Sequence, residues 1–294
     1  MRFFLQILWL ILSLYTTSIA QSDTLLYNQA VQLKDKGKYE ASLEILKNLL
    51  KPHQNAQFEA SILNQIGITY DVSGNLKQAL VYTHKALKKQ LLFTDSLDKQ
   101  NAYLFFNLSS VNSGLRNYNE AIKYAYLSLK AGYEQPFYIK NQMGFLYARI
   151  QKIDSALYYY QEALRHNITP GLLLNIGDLY LQKSQPQKAL NYFEQAKQKP
   201  NLHLYTEVSV KYRLSKAYSS LNKTIKAIKY LLQADNLLLK RSHSVLTQND
   251  KLSIARWITA ISQLGIEIAY QLKDNKTAFY FSERLKMGVV LEKI

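Results

Sequence analysis

The stretch NQIGITYDVSGNLKQALVYTHKAL, residues 64–87, decides the fold. In it, Gly67 is followed three residues later by Tyr70, twelve later by Ala79 and nineteen later by Ala86. A small residue lets a second helix approach closely, and an aromatic residue one turn away fills the space beside that contact. Ala79 and Ala86 are two turns apart and share one face of the second helix. The stretch therefore predicts two helices packed together across the short turn at SGN.

The same offsets occur in six copies along the chain. The copies begin 37, 42, 35, 33 and 38 residues apart, whereas the offset across the turn stays at twelve. This pattern predicts that loops lengthen only between helix pairs. The other copies are Gly144, Tyr147, Ala156 and Ala163; Gly177, Tyr180, Ala189 and Ala196; and, less regular, Ala30, Leu33, Ser42 and Leu49; Ser109, Asn112, Ala121 and Ser128; Ser215, Tyr218, Ala227 and Ala234.

This pattern resembles the tetratricopeptide repeat family, whose period is about 34 residues of helix–turn–helix. The resemblance covers residues 23–236 as six units. It implies an all-α fold: a right-handed superhelix, or α-solenoid, of about six repeats in residues 21–236. A C-terminal helical segment with a degenerate seventh repeat is expected in residues 237–294. The scarcity of glycine (10) and proline (5) agrees with a helical protein.

The first twenty residues have a different character. Arg2 precedes the apolar run FFLQILWLILSLY, and SIA ends at Ala20, which together predict a secretory signal peptide over residues 1–20. The alternative is an uncleaved N-terminal membrane anchor, since the apolar run approaches the roughly 18 residues that a spanning helix needs. We therefore expect export to the periplasm or cell envelope.

Charge and composition limit the classes of function. The chain has 37 Lys and Arg against 21 Asp and Glu, a net charge of +16 that could attract nucleic acid, anionic lipid or an acidic partner. We discount nucleic acid because the chain is expected to be exported and its lysines are scattered. The absence of cysteine excludes thiol nucleophiles and disulfides. No nucleotide-binding, serine hydrolase or metal-binding motif occurs, so we expect no enzyme activity, cofactor, metal or small-molecule substrate.

What remains is a protein-binding surface. In a solenoid, the first helices line the concave side, which typically binds a peptide. Amide side chains there can donate to and accept from a peptide backbone. The alternative is that each amide bonds within the array or to solvent. The candidate groove residues are Asn64, Asn107, Asn141, Phe145, Asn175, Tyr212 and Lys216.

The C-terminal segment carries a second resemblance. The run TAFYFSERLKMGVVLEKI, residues 277–294, is similar to the segment that precedes the peptidase module in bacterial tetratricopeptide proteins of the CHAT (caspase-HetF-associated) family. The resemblance implies a connector to a caspase-like domain, with that module expected to be absent here. Ala278 is expected at the small position of the second helix in the seventh repeat. The connector residues are Ala278, Phe279, Ser282, Glu283, Arg284, Lys286 and Leu291.

Two functions stay open at this point. The first is an exported, non-enzymatic scaffold that binds a peptide or protein partner in its concave groove. The second is the sensing or substrate-recruiting half of a split or truncated CHAT-type peptidase system. A periplasmic sensor half of a signalling kinase is less favoured, because the sequence shows no spanning helix near residue 294.

The last residues are unusually apolar for the end of a helical array. Val290, Leu291 and Ile294 spread around the final turn and exceed what one neighbouring helix covers. We expect residues 286–294 to be poorly packed or buried against a partner, which includes self-association through the C-terminal helix.

The N-terminal interpretation makes a direct prediction. Mass spectrometry of the natively expressed protein should find Gln21 at the N-terminus, because a peptidase cleaves after the small residues of SIA. An intact Met1 in a membrane fraction would instead support the anchor.

Overall fold

The computed structural model describes residues 21–50, 55–242 and 247–292, and every regular element within these ranges is a helix. The predicted all-α fold of helix–turn–helix pairs is confirmed. The predicted signal peptide, residues 1–20, and Ile294 lie outside the described residues. None of the helices in the described ranges is long and apolar enough to cross a membrane.

Two compact units divide the chain between Lys152 and Ile153. The predicted boundary after residue 236 falls within a helix of the second unit. The first unit contains α1 (described from residue 21 to 35), α2 (Tyr39–Leu49), α3 (Ala56–Val72), α4 (Leu76–Gln90), α5 (Lys99–Gly114), α6 (Tyr118–Lys130) and α7 (Pro136–Arg149). The second contains α8 (Ile153–Leu164), α9 (Pro170–Gln182), α10 (Pro186–Lys197), α11 (Leu204–Ser220), α12 (Thr224–Ser242), α13 (Gln248–Leu272) and α14 (Asn275–Glu292).

The turns inside the helix pairs share one backbone conformation. Three residues separate α3 from α4, and the middle one, Gly74, has a φ of 86°. A positive φ reverses the chain in few residues and is least strained at glycine. The equivalent residues with positive φ are Gly37, Arg116, Gln151, Ser184 and Asn222. The last turn has only two residues between its helices, and Lys273 there has a φ of 56°.

A close contact between paired helices explains the small residue that opens each copy. A Cβ atom on Gly177 would lie 2.7 Å from Cδ1 of Phe193, a fully buried ring on the next helix. That distance is shorter than van der Waals contact. Gly67 has the same relation to Thr83, which also lies sixteen residues later. Ser109 occupies the equivalent position, and its hydroxyl donates to the carbonyl of Ala121 at 2.8 Å.

The small residues of the second helices are buried, as the spacing predicts. Every one of these positions except Leu49, which is 2% exposed, is fully buried against a neighbouring helix: Ser42, Ala79, Ala86, Ala121, Ser128, Ala156, Ala163, Ala189, Ala196, Ala227 and Ala234. In three copies, the tyrosine that follows the small residue packs against another tyrosine twelve residues later. Ring centroids are 5.5–5.6 Å apart in the pairs Tyr70–Tyr82, Tyr180–Tyr192 and Tyr218–Tyr230.

The last helix pair has the same close contact without the rest of the pattern. A Cβ atom on Gly265 would lie 2.6 Å from Cε2 of Phe281, so the glycine again faces an aromatic ring sixteen residues later. Ala278, expected at the small position of this pair, lies thirteen residues after Gly265 and is only half-buried. The residues three, twelve and nineteen after Gly265 are Ile268, Thr277 and Arg284, which do not match the other positions of the pattern. The sequence pattern therefore did not identify Gly265.

A buried ion pair fixes α14 to α12. Arg284 donates to Asp235 through Nε and through Nη2, which lies 2.7 Å from Oδ1. Asp235 is fully buried and Arg284 is 6% exposed. The Tyr280 hydroxyl also donates to Asp235, and burial together with this hydrogen bond and the nearby negative charge raises the pKa of Tyr280 to about 12. The carboxylate is thus neutralised and hydrogen-bonded from two sides.

The apolar end of α14 is partly packed. Gly288 contacts α13 closely, because a Cβ atom there would lie 3.1 Å from Cγ2 of Ile258. Leu291, expected to lack cover, packs against the core of the second unit. Val289 and Val290 remain 41% and 57% exposed. One face of the last turns is therefore covered, and the other is not.

Two substitutions in α9 test the close contact. Alanine at Gly177 should destabilise the protein by about 1–3 kcal/mol because its Cβ collides with Phe193. Alanine at Gly171 should leave stability unchanged or slightly raised, since no atom lies within 4 Å of that Cβ position. Urea unfolding followed by circular dichroism measures both. Equal losses of stability in the two variants would contradict this packing. Lys77→Leu, at an exposed position in the first turn of α4, is a further control that should cost little stability.

The ion pair gives a second prediction. Arg284→Met should cost about 3–5 kcal/mol because it leaves Asp235 buried without a counter-charge, whereas Asp235→Leu combined with Arg284→Met should recover most of that loss. Lys286→Met is the matched control, since it breaks the exposed pair with Glu283 and should cost less than about 1 kcal/mol. A tolerated Arg284→Met single variant would show that Asp235 is not charged and buried as described.

Candidate functional site

In the first unit, the predicted groove asparagines bond to each other. Asn107 Nδ2 donates to Asn64 Oδ1 at 2.9 Å, and Gln57 Nε2 donates to Gln100 Oε1 at 3.4 Å. The two residues of each pair are 43 positions apart, one more than the 42-residue spacing of the copies, and they lie on α3 and α5. Asn64 and Asn107 therefore bond within the array, which is the alternative that the sequence left open. Asn64 Nδ2 and Asn107 Oδ1 remain outside this bond.

The other two predicted residues of the first unit lie on α7. Asn141 is half-buried, and its Oδ1 has no hydrogen-bond partner among the described residues. Phe145 is 43% exposed, and the Arg149 guanidinium lies 5.7 Å from its ring centroid. A buried carbonyl oxygen without a partner is costly unless water or a ligand reaches it. Among the predicted amides, Asn141 has a buried oxygen that none of the described residues satisfies.

The second unit brings Asn175, Tyr212 and Lys216 into one groove. Two cavities of about 500 and 370 Å³ adjoin each other along α9 and α11, and Arg213 and Trp257 line both. The first cavity is lined by Asp178, Leu181, Gln182, Tyr212, Arg213, Lys216, Ser220 and Trp257. The second is lined by Pro170, Gly171, Leu174, Asn175, Tyr205, Thr206, Ser209, Arg213 and Trp257.

Arg213 is held at the boundary between the two cavities. Its Nε donates to Asp178 Oδ2 at 2.8 Å, and its Nη1 donates to the Ser209 hydroxyl. Its side chain stays 23% exposed, which leaves guanidinium N–H groups facing the groove. The Asp178 carboxylate is 33% exposed and offers acceptor capacity beside it. Donor and acceptor thus lie side by side on the groove floor.

Aromatic rings form the apolar part of the groove. Tyr212 and Trp257 meet edge to face, with ring centroids 5.7 Å apart. Burial raises the pKa of Tyr212; the Arg213 charge opposes this, while Asp178 and Glu267 add to it, so the hydroxyl is protonated at neutral pH. The Lys216 ammonium lies 6.0 Å from the Tyr212 ring centroid. The Asn175 amide is hydrogen-bonded to Tyr160, a hydroxyl whose pKa is raised by burial.

Sequence reasoning missed Asp178, Arg213 and Trp257, the groove residues on which the proposed contacts depend. Arg213 and Lys216 follow Asn175 and Asp178 by 38 residues, the local repeat length, so extending the asparagine position into the next copy would have identified Arg213. Moving back by the same 38 residues from the predicted Lys216 would have identified Asp178. Trp257 gave no signal, because it lies on α13, beyond the six copies of the pattern.

The predicted connector residues are distributed over three environments. Arg284 is in the buried ion pair, and Leu291 packs on the core. Glu283 and Lys286 form an exposed pair at 2.6 Å. Phe279 is 68% exposed, and Ala278 and Ser282 are half-buried. The buried ion pair gives Arg284 a structural role that is independent of any module beyond the helix.

Comparison with known proteins supports the repeat assignment. The tetratricopeptide repeat family model matches residues 170–198 and 208–237. No curated protein sequence matches the chain. The matched residues 170–198 and 208–237 comprise α9 with α10 and most of α11 with part of α12. The matched repeats therefore include the helices that line the groove.

Solved structures of similar fold cover most of the chain. A tetratricopeptide repeat protein from Parabacteroides merdae is 16% identical, with a TM-score of 0.61 over 92% of this chain and 99% of that one. PilF of Pseudomonas aeruginosa is 21% identical, with a TM-score of 0.56 over 81% and 97%. PilW, a type IV pilus biogenesis factor, is 18% identical, with a TM-score of 0.59 over 78% and 92%. At these identities the likeness concerns the fold, and together with the two matched repeats it supports a tetratricopeptide repeat protein.

Proposed function

We propose that the protein is a non-enzymatic scaffold that binds an extended peptide segment of a partner in the groove of its second unit. The observation that carries this proposal is the pair of adjoining cavities along α9 and α11, divided by Arg213 and Trp257. Their volumes, about 500 and 370 Å³, lie in the range of pockets that enclose ligand groups. A peptide lying across the divide would place side chains in both.

The chemistry of the groove suits a peptide backbone. A backbone needs both donors and acceptors, and Arg213 and Asp178 provide them as neighbours. Trp257 and Tyr212 offer the aromatic surface on which binding energy concentrates in protein interfaces. Asp178 and Glu267 balance the charges of Arg213 and Lys216, so recognition rests on shape and hydrogen bonds more than on net attraction.

The groove is assigned a binding role because neither cavity is lined by a histidine or a cysteine. Export to the cell envelope is part of the proposal and rests on the sequence pattern of residues 1–20. The alternative role as the recruiting half of a CHAT-type peptidase system rests on sequence resemblance alone. A binding scaffold is therefore the single function that we propose.

A space-filling variant tests the groove. Gly171 lines the second cavity, and no atom lies within 4 Å of a Cβ placed on it, so Gly171→Leu should fill the cavity without disturbing the fold. Peptides are first selected on the wild-type chain from a random phage-displayed library. Their affinity for Gly171→Leu, measured by fluorescence anisotropy, should then fall by about tenfold or more at an unchanged melting temperature.

Gln187→Leu is the matched control, because Gln187 is the exposed second residue of α10 as Gly171 is of α9. This variant should bind the selected peptides as tightly as the wild type does. If the peptides bound Gly171→Leu with wild-type affinity, the binding surface would lie elsewhere and the proposal would fail.

A further inference from the structure

The last two turns within helix pairs expose large apolar side chains. Tyr270 and Ile225 are 84% and 78% exposed, the highest values for large apolar side chains in the described ranges. Ile225 is in the first turn of α12, and Tyr270 is near the end of α13. Phe279, across the turn on α14, is 68% exposed. Each turn therefore presents apolar anchors that no part of the described chain covers.

Lysines surround these anchors. Lys223 and Lys226 flank Ile225, and Lys273 and Lys276 lie between Tyr270 and Phe279. Asp274 is the one carboxylate within residues 221–226 and 270–279, and both its oxygens are engaged by Thr277. These hydrogen bonds lower the pKa of Asp274. The two turns together carry four lysines against one carboxylate.

The turn between α9 and α10 has the same length and the same positive φ at its middle residue as the turn between α11 and α12, but it lacks exposed apolar anchors. Residues 183–188 read KSQPQK and expose no large apolar side chain. Lys183 there is paired with Asp154 at 2.6 Å. Among these three turns, the last two combine exposed apolar anchors with lysines, and the turn between α9 and α10 does not.

We propose that these two turns, residues 221–226 and 270–279, dock on the surface of an anionic lipid bilayer. Both join the first to the second helix of a pair, and the ion pair between Asp235 and Arg284 fixes α12 beside α14. Ile225 and Phe279 enter the boundary of the acyl chains, and Tyr270 lies at the level of the headgroups. The four lysines contact the lipid phosphates.

One observation favours a lipid surface over an acidic protein. The exposed side chains stand on two separate turns, and none of them lines the cavities along α9 and α11, whereas a protein interface requires a closely packed surface. A bilayer accepts dispersed anchors without shape complementarity. The docking surface is separate from the groove residues, so this inference does not depend on the peptide-binding proposal.

The absence of cysteine allows a local test in the full chain. A single cysteine replaces Asn275, which is exposed between the anchors, and carries the environment-sensitive dye NBD. Vesicles of phosphatidylcholine with phosphatidylglycerol should raise the emission intensity about twofold or more and shift the emission maximum to the blue. Added salt should reverse both changes. The same dye at Gln187→Cys, at the start of α10, should not respond.

Two further arms make the result decisive. The response at position 275 should be abolished by the double substitution Ile225→Ser and Tyr270→Ser. It should fall severalfold with Lys273→Gln and Lys276→Gln. The fold is retained in both variants because all four positions are exposed. The proposal would be overturned if the emission of the dye at position 275 did not change with anionic vesicles. It would also be overturned if the dye at position 187 responded equally, or if pure phosphatidylcholine gave the same response. An equal response to soluble polyglutamate would also overturn it and assign the surface to an acidic protein.

Discussion

The structure depends on one steric constraint: a small residue on the first helix of a pair faces a side chain sixteen residues later on the second. At Gly177 and Gly265 that side chain is a buried phenylalanine ring, and at Gly67 it is Thr83. The constraint fixes the distance between the paired helices and the length of the turn that joins them. This contact holds α9 against α10, and α9 and α11 together line the groove.

The groove follows from the repeat that this constraint maintains. Residues 38 positions apart occupy matching places on α9 and α11, so Asn175 matches Arg213 and Asp178 matches Lys216. Each matched pair sets side chains of different chemistry in neighbouring positions. The ion pair of Arg213 with Asp178 then holds a donor and an acceptor at the groove floor. In the first unit, Asn64 on α3 and Asn107 on α5 are alike and bond to each other instead.

Local spacing made the fold predictable, and long-range pairing made parts of the site unpredictable. The buried alanines and the turns at residues 36–38, 73–75 and 115–117 follow from offsets within about twenty residues. Gly265 was not identified because the residues three, twelve and nineteen after it, Ile268, Thr277 and Arg284, do not match the pattern. The partner of Arg284 lies 49 residues earlier on a helix that is not its neighbour in sequence, which no periodicity reports. Trp257 enters the groove from α13, whose register the repeat does not specify.

A double-mutant cycle on Gly177 and Phe193 tests the central constraint most directly. If the glycine is required because the ring occupies the space of its Cβ, Phe193→Leu should remove most of the penalty of Gly177→Ala. The combined loss in unfolding free energy should then be smaller than the sum of the single losses by about 1 kcal/mol or more. Losses that add to within about 0.5 kcal/mol would show that the two positions are independent and would contradict this account.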